Sequence, residues 1–147
     1  MKRNTKNEPT GDDDEIDDTD EGYESVGGNK RARLEAIMAR DGATCVWCRC
    51  AIDTGTTHAT SEHLVPRIKG GPSWFENELG SCPRCNRERG HRTLTEFVDE
   101  CRDAGRDPDV ARLVAGLERF EQAYLKRGGA RKCRPYVESQ LRRLRRV

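Results

Sequence analysis

The chain has 147 residues and a mass of 16.7 kDa, which is enough for one modest domain with extensions. Only 33% of the residues are hydrophobic and 36% are charged, so a large apolar core is excluded, and we expect part of the chain to be unpacked or held together by metal. No apolar run is long enough to span a bilayer, and the first ten residues lack the apolar stretch of a secretory signal. These features predict a cytoplasmic protein with no membrane partner.

The net charge of +1 hides a strong asymmetry between two parts of the chain. Residues 1–28 carry three basic and ten acidic side chains, a net charge of −7, whereas the remainder carries +8. Low apolar content predicts that residues 1–28 form a disordered acidic tail. The basic body favours a polyanionic partner, most often nucleic acid, although a solvated arginine-rich surface gives the same charge. The tail either solubilises the chain, contacts a partner, or folds back on the basic body.

Ordered structure is predicted to begin with a helix over residues 29–42, where Asn29 is the N-cap and Gly42 the stop signal. From Thr44 to Leu79 the pattern changes to short segments with Gly, Thr and Pro, which is typical of a small hairpin-rich region. Residues 85–101 are predicted to be helical again because Leu94, Phe97 and Val98 share one face.

The C-terminal part is predicted to hold two more helices. Asp107 is the predicted N-cap of the first of these helices, and Pro108 is at its first helical position. An amphipathic stripe of apolar side chains then continues along the helix until Gly128. A last segment covers residues 135–147 and is rich in arginine. We therefore divide the chain into the acidic tail (1–28), a central domain (29–100) and a basic helical extension (101–147).

Two CxxC motifs, Cys45–Cys48 and Cys82–Cys85, dominate the cysteine pattern. We call each of these CxxC motifs a knuckle. The four thiolates of the two knuckles match the tetrahedral preference of Zn²⁺, so the spacing predicts one closed, structural zinc site. A thioredoxin-like redox use of one motif is disfavoured, because two motifs are present and no βαβ pattern is. The other three cysteines, Cys50, Cys101 and Cys133, have no knuckle partner and are predicted to act as small hydrophobic residues. The alternative for Cys50 is that it replaces a knuckle cysteine as a zinc ligand.

Between and on the knuckles lies a group of polar residues in a distinctive order. Glu62-His63 is followed by Pro66, by Gly70-Gly71, by Asn77 and by the second knuckle with Asn86 directly after its last cysteine. Over about residues 31–95 this order resembles the HNH nuclease family, also called ββα-metal or His-Me finger nucleases. The resemblance implies an α+β fold: a small zinc-stapled ββα-metal core with flanking α-helices.

The resemblance also implies roles for individual residues. Glu62, which stands where the family more often has Asp, and Asn86 would be oxygen ligands of a catalytic Mg²⁺ or Mn²⁺. His63 would be the general base that activates water, and Asn77 would hold the loop that aims His63. Neighbouring residues on a strand point to opposite faces, so Glu62 and His63 are expected to have separate tasks.

Basic side chains near this group and at the C-terminus are candidates for phosphate contacts. The four close to the predicted site are Arg67, Lys69, Arg87 and Arg89. The four in the last segment are Arg142, Arg143, Arg145 and Arg146.

Together these features predict a metal-dependent HNH endonuclease that hydrolyses phosphodiester bonds in DNA. The alternative is a non-catalytic zinc-ribbon module that binds nucleic acid. The preference for arginine over lysine indicates a GC-rich bacterial or phage genome, and no feature argues for a protein partner or a homodimer.

The charge asymmetry generates a first prediction. Deletion of residues 1–28 should strengthen non-specific DNA binding, because it removes a charge of −7 that competes with phosphates for the basic body. Each additional protein–phosphate ion pair should add roughly −0.9 to the slope of log K against log salt, measured by fluorescence anisotropy on a duplex. Unchanged affinity at low salt would exclude masking by the tail and leave it as a solubilising arm.

Overall fold

A computed structural model of the protein describes residues 29–55 and 58–147, so the predicted acidic tail lies outside the described residues. Within these ranges one two-stranded sheet and five α-helices follow in the order α1 (Lys30–Asp41), β1 (Thr60–His63), β2 (Glu78–Ser81), α2 (Pro83–Arg89), α3 (Leu94–Asp103), α4 (Val110–Arg127) and α5 (Arg134–Leu144). The predicted α+β class is confirmed. No helix among these residues is both long enough and apolar enough to cross a membrane.

The first helix agrees closely with its sequence signals. The Asn29 side chain accepts a hydrogen bond from the Ala32 backbone N–H at 2.7 Å, which satisfies one of the free donors at the helix start. Gly42 ends the helix with a φ of 98°, a conformation that glycine adopts without strain. Leu34 and Ile37 are the buried residues of α1, so the helix packs through one narrow apolar face.

The sheet is a short antiparallel pair in which Thr60 lies opposite Ser81 and His63 opposite Glu78. A 14-residue loop, residues 64–77, connects the two strands, so they do not form a tight hairpin. The loop contains two 3₁₀ turns, at Arg67–Lys69 and Phe75–Asn77. Because directly opposed residues share a face, His63 and Glu78 lie on one face of the sheet and Glu62 lies on the other.

Two details of the predicted helices are wrong. The helix expected over residues 85–101 is broken after Arg89 by Gly90, which has a φ of 54°, and α3 starts afresh from a capping box formed by Thr93 and Glu96. The cap of α4 is Asp109 rather than Asp107. The backbone N–H of Asp109 donates to the Val46 carbonyl at 2.8 Å, so a tertiary contact with the first knuckle fixes where this helix begins.

The C-terminal helices pack onto the sheet region and complete the core. The stripe on α4 is buried, and its Phe120 ring meets Trp74 from the loop edge-on at 5.6 Å. Tyr136 of α5 donates from its hydroxyl to the Leu64 carbonyl just beyond β1. Helix α3 runs across the division predicted at residue 100, so that division falls inside a helix.

Loop 64–77 generates a second prediction, at Gly71. A Cβ atom at this position would lie 1.8 Å from the Val65 carbonyl oxygen, a distance that no packing adjustment of side chains can relieve. Gly71→Ala should therefore displace the loop and lower the free energy of unfolding by about 1–3 kcal/mol, measured by urea titration. Gly55→Ala is the control, because its Cβ would meet its nearest neighbour at an ordinary 3.4 Å. Equal stability of the two variants would contradict the prediction.

Candidate active site and cysteine cluster

Four cysteine thiols converge in the structure, and their Sγ atoms all lie within 4.8 Å of one another. They are those of the two predicted knuckles: Cys45, Cys48, Cys82 and Cys85. The Sγ atoms of Cys48 and Cys82 are 3.9 Å apart. Four sulfurs placed about 2.3 Å from one tetrahedral Zn²⁺ are separated by roughly 3.8 Å, so both spacing and donor chemistry fit this ion. The cluster could hold a structural zinc.

Local backbone geometry presents these thiols to one another. In the first knuckle the Trp47 N–H lies 3.4 Å from Cys45 Sγ, and in the second the Cys85 N–H lies 3.5 Å from Cys82 Sγ. Cys82 is the N-cap of α2, with proline at the first helical position. Burial raises the pKa of the Cys45 thiol to about 11, so a metal that binds at neutral pH must displace its proton.

The three remaining cysteines do not share one environment. Cys101 and Cys133 are buried, as the sequence predicts. Cys50 is exposed, so the prediction that it acts as a small hydrophobic residue is wrong.

Glu62 lies on the inner face of β1 and is only 5% exposed. Its Oε1 accepts a hydrogen bond from Arg89 at 2.8 Å, and its Oε2 accepts one from the indole N–H of Trp47. Burial raises the pKa of the Glu62 carboxyl, and the positive charge of Arg89 opposes that rise. Trp47 lies between the two cysteines of the first knuckle, so Glu62 connects this knuckle to α2.

Arg89, at the end of α2, is 2% exposed. Besides Glu62, its guanidinium donates to the backbone carbonyls of His63, Leu64 and Arg92. The expected contact between Arg89 and DNA phosphates therefore needs correction. Its donors are directed at protein oxygens in the interior, where a phosphate cannot reach them.

His63 ends β1 with a partly exposed imidazole. Its Nε2 lies 3.5 Å from the hydroxyl of Ser73 and 3.8 Å from the Glu78 carboxylate. Burial, with smaller contributions from Arg67 and Arg89, lowers the pKa of His63 to about 4. The imidazole is therefore neutral at neutral pH, which is the form that a general base needs.

Asn77 closes the loop that follows His63. Its side-chain Oδ1 accepts from the Val65 N–H at 3.0 Å, and its Nδ2 donates to the carbonyls of Val65 and Pro72 at 3.2 and 2.9 Å. These bonds join the beginning of loop 64–77 to its end. The structure thus places Asn77 where it can hold the loop, and its contribution to catalysis stays a prediction.

Asn86 lies on α2 beside β1, and its Nδ2 donates to Thr60 Oγ1 at 3.1 Å and to the Ser61 carbonyl at 3.3 Å. Its Oδ1 is the atom left for a ligand. Carboxylate and amide oxygens are ligands that hard divalent cations prefer, and the Arg89 and Trp47 bonds are of the kind that orient a ligating carboxylate. The roles of Glu62 and Asn86 as cation ligands stay a prediction.

The other basic candidates lie at the surface. Arg67 and Lys69 are exposed on the turn after His63, and Arg67 donates to Ser73 at 2.9 Å. Arg87 is exposed on α2. The four C-terminal arginines, Arg142, Arg143, Arg145 and Arg146, are exposed at the end of the chain, and Arg145 pairs with Glu118 at 3.0 Å.

Sequence reasoning missed two residues of this site. Trp47 occupies a variable position of a CxxC motif, and nothing in the motif indicates that its indole meets Glu62. Glu78 had a detectable signal: it directly follows Asn77 and begins a short apolar segment before the second knuckle, where a charged side chain is unexpected.

Comparison with known proteins bears on this arrangement. Residues 45–102 match a family model described as HNH endonuclease. Among solved structures, the chain is similar to the Type II-C Cas9 enzyme from Actinomyces naeslundii, with a TM-score of 0.50 and 19% sequence identity. The similarity covers 87% of this chain and only 13% of that chain, and at this identity it shows the fold alone. No match to a curated protein was found.

The family match spans both cysteine knuckles and every residue from Glu62 to Asn86 that carries the resemblance. The resemblance inferred from the sequence is therefore confirmed: residues 45–102 match the model of the HNH endonuclease family.

Proposed function

We propose that this protein is a metal-dependent endonuclease that hydrolyses phosphodiester bonds in DNA, with His63 as the general base. The observation that carries the proposal is the position of His63. Its imidazole is partly open to solvent at the end of β1 and is followed by a loop that Asn77 holds at both ends. The match of residues 45–102 to HNH endonucleases supports the assignment to nucleases.

In this proposal His63 accepts a proton from a water molecule, which attacks phosphorus and releases the 3′-oxygen. The products are a 5′-phosphate and a 3′-hydroxyl, as the family resemblance implies. Glu62 and Asn86 would hold Mg²⁺ or Mn²⁺, which supplies stabilisation of negative charge on the phosphoryl group and the leaving oxygen. Asn77 keeps the loop closed, so the imidazole meets the water in one orientation.

The proposed DNA contacts come from the exposed basic residues. Arg67 and Lys69 flank the site, and Arg87 projects from α2. The four arginines at the end of the chain would extend the positive surface. Such contacts to phosphates position the duplex and carry no sequence information.

A structural zinc at the cysteine cluster is the third prediction. Purified protein should contain about one equivalent of zinc, measured by atomic emission, because four thiolates close one tetrahedral site. Serine at any of the four cluster cysteines should lower both zinc content and the free energy of unfolding. Cys50→Ser and Cys101→Ser are matched controls that should keep the zinc. Two equivalents, or none in freshly purified folded protein, would contradict the assignment.

The fourth prediction separates the base from a cation ligand. His63→Ala should slow nicking of supercoiled plasmid by ~10²–10⁴-fold and leave Mn²⁺ affinity unchanged. Glu62→Gln should weaken Mn²⁺ binding, measured by calorimetry, and part of its lost rate should return at high Mn²⁺. Glutamine is chosen because it keeps the volume of the buried side chain and an oxygen that can accept a hydrogen bond from Arg89, whereas alanine would remove both.

His91→Ala, a change at an exposed histidine, is the control and should cleave at the wild-type rate. Both site variants should retain zinc, since the thiols lie elsewhere. A His63→Ala protein that cleaves at the wild-type rate, checked for contaminating nuclease, would remove the proposed mechanism. DNA binding without cleavage by the wild-type protein would instead establish the non-catalytic zinc-ribbon module.

A further inference from the structure

A buried carboxylate faces the proposed base from the second strand. Glu78 lies opposite His63 in the antiparallel register, so both side chains are on the same face of the sheet. Glu78 Oε1 is 3.8 Å from His63 Nε2, and the Glu78 side chain is 3% exposed against 25% for His63. The imidazole thus lies between solvent and this carboxylate.

The position of Glu78 is costly for a carboxylate. All four residues of β2 are buried, and a carboxylate removed from water loses several kcal/mol unless nearby charges and donors compensate. The imidazole of His63 is one group that faces this carboxylate, and it presents a positive N–H edge when Nε2 carries the proton.

The geometry around the ring distinguishes its two nitrogens. Nε2 is the nitrogen that faces Glu78 and the Ser73 hydroxyl, and Arg67 holds that hydroxyl from the other side at 2.9 Å. At 3.8 Å the Glu78 carboxylate is beyond hydrogen-bond distance of Nε2, but a negative charge beside one ring nitrogen favours the proton on that nitrogen and leaves the lone pair on the other. The ring then presents Nδ1 as its basic atom.

We propose that Glu78 is a positioning residue for His63: it keeps a proton on Nε2 and leaves Nδ1 to accept the proton of the attacking water. This inference rests on the proposed role of His63 as general base. When Nδ1 takes the proton, the ring becomes an imidazolium ion whose Nε2–H still points to the carboxylate. Glu78 stabilises that charge and does not itself gain a proton, as in other carboxylate–histidine pairs.

Glu78→Gln is the principal test, because it keeps the shape of the side chain and removes its charge. The single-turnover rate of plasmid nicking with Mg²⁺ should fall by between about 10- and 10³-fold, since a misdirected ring retains only part of general-base catalysis. The Kd for a DNA duplex, measured by anisotropy, should not change. Glu76→Gln is the matched control: this carboxylate lies two residues away but pairs with Arg127 at 2.7 Å, and its loss should leave the rate unchanged.

A double-mutant cycle separates positioning from a general effect on the fold. If Glu78 acts through His63, then Glu78→Gln should have no further effect on the rate in the His63→Ala background. An equal loss in both backgrounds would overturn the inference while leaving His63 as the base. A His63→Ala protein with the wild-type rate would overturn the proposed function itself, so the two failures are distinguishable.

A spectroscopic measurement on the unaltered protein makes the test independent of whether any variant folds. The chain has three histidines, so ¹⁵N shifts of each ring can be assigned by NMR. At neutral pH His63 should be in the Nε2–H form, and Glu78→Gln should shift it toward a mixture of both tautomers. A ring protonated on Nδ1 in the wild-type protein would overturn the inference.

Discussion

The arrangement around β1 depends on one buried guanidinium. Arg89 extends from the last turn of α2 to the Glu62 carboxylate and to the carbonyls of His63 and Leu64, where the strand ends. A buried ion pair that loses one partner leaves an uncompensated charge, at a cost of about 3–5 kcal/mol. Helix α2 and strand β1 therefore cannot shift independently. The position of the proposed base is set by a helix as well as by the two-stranded sheet, which alone would be marginally stable.

The same network joins the site to the cysteine cluster at two points. Trp47, within the first knuckle, donates to Glu62, and Arg89 lies four residues after Cys85 of the second knuckle, on the same short helix. A metal at the cluster would fix both knuckles relative to each other, and through them both partners of the Glu62 carboxylate. In a chain with so few apolar residues, this connection gives a site near the surface a rigid support that the core alone does not provide.

The sequence predicts local features of this fold better than its tertiary contacts. The cap at Asn29, the two knuckles and the match to the HNH family model follow from residue types at fixed spacings. The helix break at Gly90 is hidden in the sequence because the apolar pattern continues across it, and the α4 cap at Asp109 depends on a bond to Val46. The burial of Arg89 could not be deduced either. Its chemistry suits a phosphate as well as a carboxylate, and only the register of α2 against β1 decides between them.

Alternation along β1 explains why the site contains two buried carboxylates instead of one. Glu62 and His63 are neighbours in sequence, so they point to opposite faces, and the charge of Glu62 is already paired with Arg89. Glu62 therefore cannot orient the imidazole or balance the charge that forms on it. Burial, and to a smaller extent the charges of Arg67 and Arg89, disfavour that positive charge, as the lowered pKa of His63 reflects. A carboxylate on the face of His63 has to come from the partner strand, and the residue opposite His63 in the register is Glu78.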